Sequence, residues 1–329
     1  MRSISSRRIR AAALGTAGVM LASLAWAAAG KKSAPKPAAP PKDGAAPANA
    51  GDVAALRQPH KLAEGVWAAM TKGGANAGWF LLGDSVVAVD AGRSETDAEE
   101  LLSAIAKTTG KKTVSYLVLT NDFGPHVGGA VAFVRHGASI VCDEKFAAGF
   151  QEVMAKAGSP SPVLGVGMRL VLGSAGRHVI LRHLGPANSA GDLALFLVEE
   201  KVLFSGDLAE SVLLPPLFSK TIDPEGWIAA LTVLGNLNPR VLVPGYGPIG
   251  PPEGIAATRD YLEHASTAAQ TIVSENIKDD FLPTRLNQPD IQVRNLPADL
   301  EPSHEANMRA LVAHYRARAG KAAPPAKKP

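Results

Sequence analysis

Residues 119–129, Leu-Thr-Asn-Asp-Phe-Gly-Pro-His-Val-Gly-Gly, are where this chain could do chemistry. A strand-like run, Val114 to Leu119, feeds a polar turn that holds one histidine, His126, and the pair Gly128-Gly129. The turn has the outline of a metal-binding loop. Zinc, however, takes imidazole, thiolate or carboxylate donors, and about three from the protein even at an open catalytic site. Asp122 and His126 are the donors of that kind within the turn. Phe123 and Pro125 have no side-chain donor, and Asn121 has only a neutral amide oxygen, a poor partner for a borderline-soft ion. The glycine pair allows a tight run into a following helix, whose N-terminal amides could attract an anion.

Other chemistry-bearing residues have plainer readings. His178 and His183 lie five apart in one strand segment, on opposite faces, and cannot share a metal there. His304 and His314 fall on a helix near the end of the chain and read as surface residues. Asp207 follows a strand and reads as a cap on nearby backbone amides. Asp90 and Asp192 read as turn and loop braces. The single cysteine, Cys142, sits in the apolar run Ala138 to Cys142 and reads as a buried, inert thiol; no internal disulfide is possible.

The elements that must position these groups alternate. Strands are predicted at Val66–Met70, Trp79–Leu82, Val86–Asp90, Val114–Leu119 and Ala138–Cys142. Helices are predicted at Glu95–Lys107, capped by Ser94, at Gly129–His136 and at Glu144–Lys156. Four short strands follow: Met168–Leu172, Val179–Leu184, Leu193–Val198 and Val202–Ser205. Asp223-Pro224-Glu225 opens a helix to Leu237, a strand at Arg240–Val243 ends in Pro-Gly-Tyr-Gly, and a helix runs from Glu253 to Glu275. After Asn276 the chain is irregular until Ser303, read as the N-cap of an amphipathic helix whose Met308, Leu311, Val312 and Tyr315 pack on the domain. Two sheets face to face, each covered by helices, are the fold expected.

The ends of the chain are of another kind. Arg7, Arg8 and Arg10 precede an apolar run from Ala11 to Ala29 that ends in small residues, so residues 1–29 read as a signal peptide cleaved after Ala27 or Ala29. The alternative is an uncleaved membrane anchor. Residues 30–58, rich in Ala, Pro and Lys, and residues 320–329 read as disordered tethers. Between them lie a main domain, 59–275, and a C-terminal extension, 276–319. The protein is thus expected to be periplasmic or secreted. The net charge of +4 owes much to lysines in the tails, and the folded region lacks a basic stripe with interleaved aromatics, which argues against nucleic acid.

Five segments in order resemble the metallo-β-lactamase superfamily, over roughly Leu62 to Leu262. They are Asp90-Ala91-Gly92, Thr120 to Gly129, Gly185 to Asp192, Lys201 to Asp207, and Val243-Pro244-Gly245-Tyr246-Gly247. The resemblance implies an α/β, four-layer αββα sandwich with its active site on one edge of the paired sheets, here followed by a C-terminal helical tail. It also implies two zinc ions, but their ligand positions carry over poorly. Those in the Thr120–Gly129 turn fall on Asn121, Phe123, Pro125 and His126, and the later ones on Asn188, Asp207 and Tyr246; only His126 and Asp207 keep the family identity.

Hydrolysis in the family depends on a metal that pulls the pKa of bound water from about 15.7 toward about 7. Tyr246 could bind such an ion only as phenolate, from a pKa of about 10. The reading is therefore a catalytically degenerate member without catalytic residues, with no cofactor expected and a small molecule or a protein as partner. Its vestigial pocket comprises Asn121, Asp122, Phe123, Pro125, His126, Asn188, Asp207 and Tyr246. The rival reading is a hydrolase with a rebuilt mononuclear zinc site using His126, Asp207 and Tyr246 with Asp122 or the substrate. His126 and Asp207 are expected within direct or one-water contact. Phe123 and Tyr246 are expected to turn their rings into the old site, with the Tyr246 hydroxyl near Asp207 or His126.

Overall fold

A computed structural model describes residues 57–210, 218, 221–292 and 301–322. The segment read as a signal peptide, nearly all of that read as a linker and the end of the C-terminal tail lie outside the described residues.

The first sheet has seven strands in sequential order: β1 (His60–Ala63), β2 (Val66–Met70), β3 (Asn76–Leu82), β4 (Ser85–Val89), β5 (Tyr116–Val118), β6 (Ser139–Asp143) and β7 (Val163–Val166). The second has five, ordered β12 (Val241–Pro244), β11 (Val202–Gly206), β10 (Leu193–Leu197), β9 (Arg177–His183) and β8 (Arg169–Ser174). Hairpins join β1 to β4 antiparallel, whereas β4 to β7 run parallel. The parallel crossovers are made by α1 (Glu95–Thr109), then α2 (Gly124–Val127) with α3 (Ala130–Arg135), then α4 (Glu144–Lys156). The second sheet is covered by α5 (Pro224–Asn236), α6 (Glu253–Ser274) and α8 (Glu301–Ala322), and the short α7 (Leu282–Leu286) follows a single 3-10 turn, Asp279–Phe281.

Strand periodicity explains the layering. On β4, Val86 and Ala88 pack under the helices, while Val87 and Val89 point at the second sheet. On β10, Leu193, Leu195 and Leu197 meet them, and Ala194 and Phe196 turn to the outer helices. Both faces of each sheet are thus buried, which is why these strands read as continuous apolar runs rather than alternating ones. Four layers result, αββα.

Caps fall where side-chain oxygens allow. Ser94 accepts from Asp97 N at 3.2 Å at the start of α1, and Asp223 accepts from Gly226 N at 2.9 Å at the start of α5. Three expectations need correction. The helix anticipated at Gly129–His136 is split, with α2 forming earlier around Pro125 and α3 after Gly129. Ser303 lies inside α8 rather than capping it. His304 is not a surface residue but 8% exposed, on the same buried side of α8 as Met308, Leu311, Val312 and Tyr315, while His314 is half-buried. Among the described residues no helix is long and apolar enough to cross a membrane.

Candidate functional site

Four strand ends converge at one edge of the sandwich. Asp90 follows β4, Thr120 and Asn121 follow β5, Asp207 follows β11 and Tyr246 follows β12. Asp90 adopts a left-handed backbone, φ 62°, which aspartate tolerates better than most residues. Its carboxylate accepts from Thr120 N at 2.8 Å and from the Thr120 hydroxyl at 2.9 Å. The turn after Asp90 also receives α2: Ala91 N donates to His126 O at 2.7 Å. A Cβ on Gly128 would fall 1.9 Å from Arg93 O, and one on Gly129 would fall 2.3 Å from Ala91 O. The glycine pair therefore serves close docking, and that docking delivers His126.

The His126 ring lies fully buried between two carboxylates. Nδ1 is 2.9 Å from Asp90 Oδ2 and Nε2 is 2.8 Å from Asp207 Oδ1. A neutral imidazole has one N–H and could donate to only one of them. Burial alone would push the ring pKa down, but Asp207 and then Asp90 outweigh it and hold it well above the usual histidine range. The protonated ring donates at both ends. Asp90 is therefore more than a turn brace; it is the second partner of His126.

The remaining positions surround this cluster. The Tyr246 ring meets His126 edge-on, with centroids 5.5 Å apart. Burial, then Asp207 and Glu210, push the Tyr246 phenol upward, away from phenolate. Its loop is pinned by Asn76, whose Nδ2 donates to Pro244 O at 3.0 Å and Gly247 O at 2.9 Å. In the same loop Gly245 passes so near Asp207 that a Cβ would lie 2.4 Å from Oδ1. Asn121 is buried and its Oδ1 accepts from Phe123 N at 2.9 Å, while its Nδ2 finds no partner. Phe123 and Pro125 are half-buried and Asp122 is exposed. Asn188 is fully buried in the loop braced by Asp192, which accepts from Ser189 N at 2.6 Å and from its hydroxyl at 2.9 Å. Burial raises the Asp192 carboxyl to about 7.

Sequence reading missed Glu210. It is 1% exposed, accepts from Tyr246 N at 2.7 Å, and leaves Oε1 without a partner. Burial, followed by the nearby Asp207, raises its pKa well above the ordinary carboxyl value. The faint signal was position: Glu210 lies three residues after Asp207, within the same strand-end turn.

The donor set does not fit a zinc ion. The His126 bond to Asp90 is one that a metal-bound histidine also makes, but on its other side only Nε2 and the Asp207 carboxylate could face an ion. That is fewer than the roughly three protein donors an open site needs. The Asn121 oxygen is committed to a backbone amide, and its unpartnered Nδ2 is an NH2 group that cannot ligate. Phe123 and Pro125 contribute nothing, and the Tyr246 phenol is held protonated. Among the described residues no group of three or more His, Cys, Asp or Glu side chains is placed to hold a metal.

The metallo-beta-lactamase superfamily model matches residues 70–246, more than half of the chain. The chain belongs to this superfamily. A metallo-beta-lactamase from Pontibacter korlensis is similar in structure, with a TM-score of 0.53 and 22% identity, covering 63% of this chain and 98% of that one. The stereoselective inverting sec-alkylsulfatase Pisa1 from Pseudomonas sp. is similar with a TM-score of 0.59 and 15% identity, covering 82% of this chain and 52% of that one. At these identities the likeness speaks for the fold alone. No curated protein matches. In this superfamily member, then, His126 and Asp207, the two positions expected from the sequence to keep the family's ligand identity, bond to each other.

Proposed function

We propose that this protein is an exported, non-hydrolytic member of the metallo-β-lactamase superfamily that acts as a binding or scaffold module. One observation carries the reading: the two ring nitrogens of His126 are each taken by a buried carboxylate, Asp90 and Asp207. Protonated, that ring has no lone pair for a metal, and even after losing the Nε2 proton it would supply with Asp207 only two donors. A site without the metal lacks the activated hydroxide on which the family's hydrolysis rests. The occupant of the rebuilt pocket is a small molecule or a second protein, and delivery across the membrane is by the N-terminal segment 1–29.

The test is metal content and turnover together. Protein purified from zinc-supplemented medium is expected to carry far less than one zinc per chain. It should show no chelator-sensitive hydrolysis of lactam, thioester, phosphodiester or secondary alkyl sulfate substrates; the sulfate ester is included because one structural neighbour is an alkylsulfatase. Stoichiometric zinc, lost on replacing His126 or Asp207 and accompanied by chelator-sensitive turnover, would establish the rebuilt mononuclear hydrolase instead. Cell fractionation and sequencing of the mature N-terminus check export, with a start after Ala27 or Ala29 expected.

A further inference from the structure

The C-terminal helix α8 lies beyond the residues matched by the family model and is fastened to α6 by a buried chain of hydrogen bonds. The direction of that chain can be deduced link by link. Phe218 N, which can only donate, bonds Asn307 Oδ1 at 3.0 Å. The Asn307 amide is therefore oriented with Nδ2 toward Tyr261, donating to its hydroxyl oxygen at 3.5 Å. The single Tyr261 hydroxyl proton is then free to go to His304 Nδ1, 3.0 Å away. Assigned this way, His304 Nδ1 presents a lone pair and its neutral ring carries the proton on Nε2. Asn307, Tyr261 and His304 are 0%, 5% and 8% exposed, and the Tyr261 and His304 rings meet edge-on with centroids 5.8 Å apart.

We propose that Phe218, Asn307, Tyr261 and His304 form a proton-sensitive latch on the C-terminal helix, which holds best while His304 is neutral. If Nδ1 gains a proton, the Tyr261 oxygen faces two donors, Asn307 Nδ2 and His304 Nδ1. Its lone pairs can accept both, but its own hydroxyl proton then has no acceptor among the hydrogen bonds that the described residues make to it. Among the described residues burial is the one influence on His304, with no charged partner beside it. From α6, Arg259 pairs with Asp260 and Glu263, and Asp260, Glu263 and His264 are exposed. On α8 itself, Glu305 is engaged by Arg309. Burial is accordingly the cause that lowers the His304 pKa.

The sign follows. A released helix would titrate near the ordinary histidine value of about 6.5, and the docked helix lower. Docking is insensitive to pH well above that value. Below it, docking weakens by up to about tenfold per pH unit until the docked pKa is passed. Met308, Leu311, Val312 and Tyr315 remain buried against the domain, so one proton raises the frequency of opening rather than expelling the helix.

Amide hydrogen exchange on the full chain reads this directly, with α1 as an internal reference and intrinsic rates corrected. Between about pH 7.5 and about pH 5.5, opening of α8 in the wild type should rise severalfold and up to about tenfold, while α1 stays level. His304→Gln, whose side-chain carbonyl can still accept from Tyr261 and which does not titrate, should abolish the rise. Nitrogen chemical shifts of His304 in the unmodified protein should show the Nε2–H form and a pKa below the ordinary value. A flat wild-type response, an equal response in His304→Gln, or an Nδ1–H ring would each overturn the latch.

Discussion

Replacing His126 by alanine tests the core of the site reading. The ring is fully buried, and Asp90 and Asp207 are each 3% exposed, so removal leaves two carboxylates facing one another without their shared donor. Taking one partner from a buried ion pair costs about 3–5 kcal/mol, because the remaining charge is stranded in a poorly solvated place. For a domain of this size about 1 kcal/mol moves Tm by roughly 2–4 °C, so a fall of roughly 6–20 °C is expected. The pH dependence gives the more specific readout. His126 has a folded pKa raised above its unfolded value of about 6.5, so its contribution is complete below that pH and is lost as pH rises through the folded value. Urea denaturation at about pH 7 and about pH 10 should show the gap between wild type and His126→Ala shrinking at the higher pH. A cost below about 1 kcal/mol, or a gap unchanged on the alkaline side, would refute the doubly bonded, protonated ring.

Phe123 is half-buried, so Phe123→Ala should cost about 1–2 kcal/mol rather than the 3–5 typical of a fully buried ring, read by thermal denaturation. Glu210→Gln mimics the protonated acid that burial favours. Since that carboxyl is raised in the fold, wild type should match the variant near pH 4 and fall below it as pH climbs, in paired denaturant titrations. Asp192→Asn can keep both bonds to Ser189. Because the wild-type carboxyl sits at about 7 in the fold, wild type should lose stability relative to the variant from about pH 4 to about pH 7, by roughly 4 kcal/mol at most.

The sandwich was legible because most of its strands are buried on both faces and punctuated by turns, a pattern that survives without knowledge of partners. Two strands escaped notice for physical reasons. β1 is short and nowhere fully buried, and β7 is a sheet-edge strand in which Gly165 interrupts the apolar run. The contact between His126 and Asp207 followed from motif order, but the Asp90 contact did not. An Asp-x-Gly turn looks self-contained, and only the docking of α2 onto it brings His126 within reach. His304 is different: it lies four residues before Met308 and seven before Leu311, on the helix's own apolar stripe. The spacing was visible, but a histidine on such a stripe reads as surface until a hydroxyl donor on the facing helix is known.

The exchanged positions make sense together as electrostatics. A metal site tolerates clustered carboxylates because the ion's charge offsets them. Here Asp90, Asp192, Asp207 and Glu210 are all nearly or fully buried at the same edge. The positions that the family resemblance marks as ligand positions other than His126 and Asp207 carry neutral side chains: Asn121, Phe123, Pro125, Asn188 and Tyr246. At 125, where the resemblance implies an aspartate, proline adds no further carboxylate to this edge. Of the acids that remain, Glu210 and Asp192 are pushed toward their neutral forms, and His126 places a positive ring between the other two. Restoring one ligand would therefore add a donor beside an imidazole that is already engaged, and to hold an ion that imidazole would have to give up its Nε2 proton and its bond to Asp207 while keeping Asp90 on Nδ1.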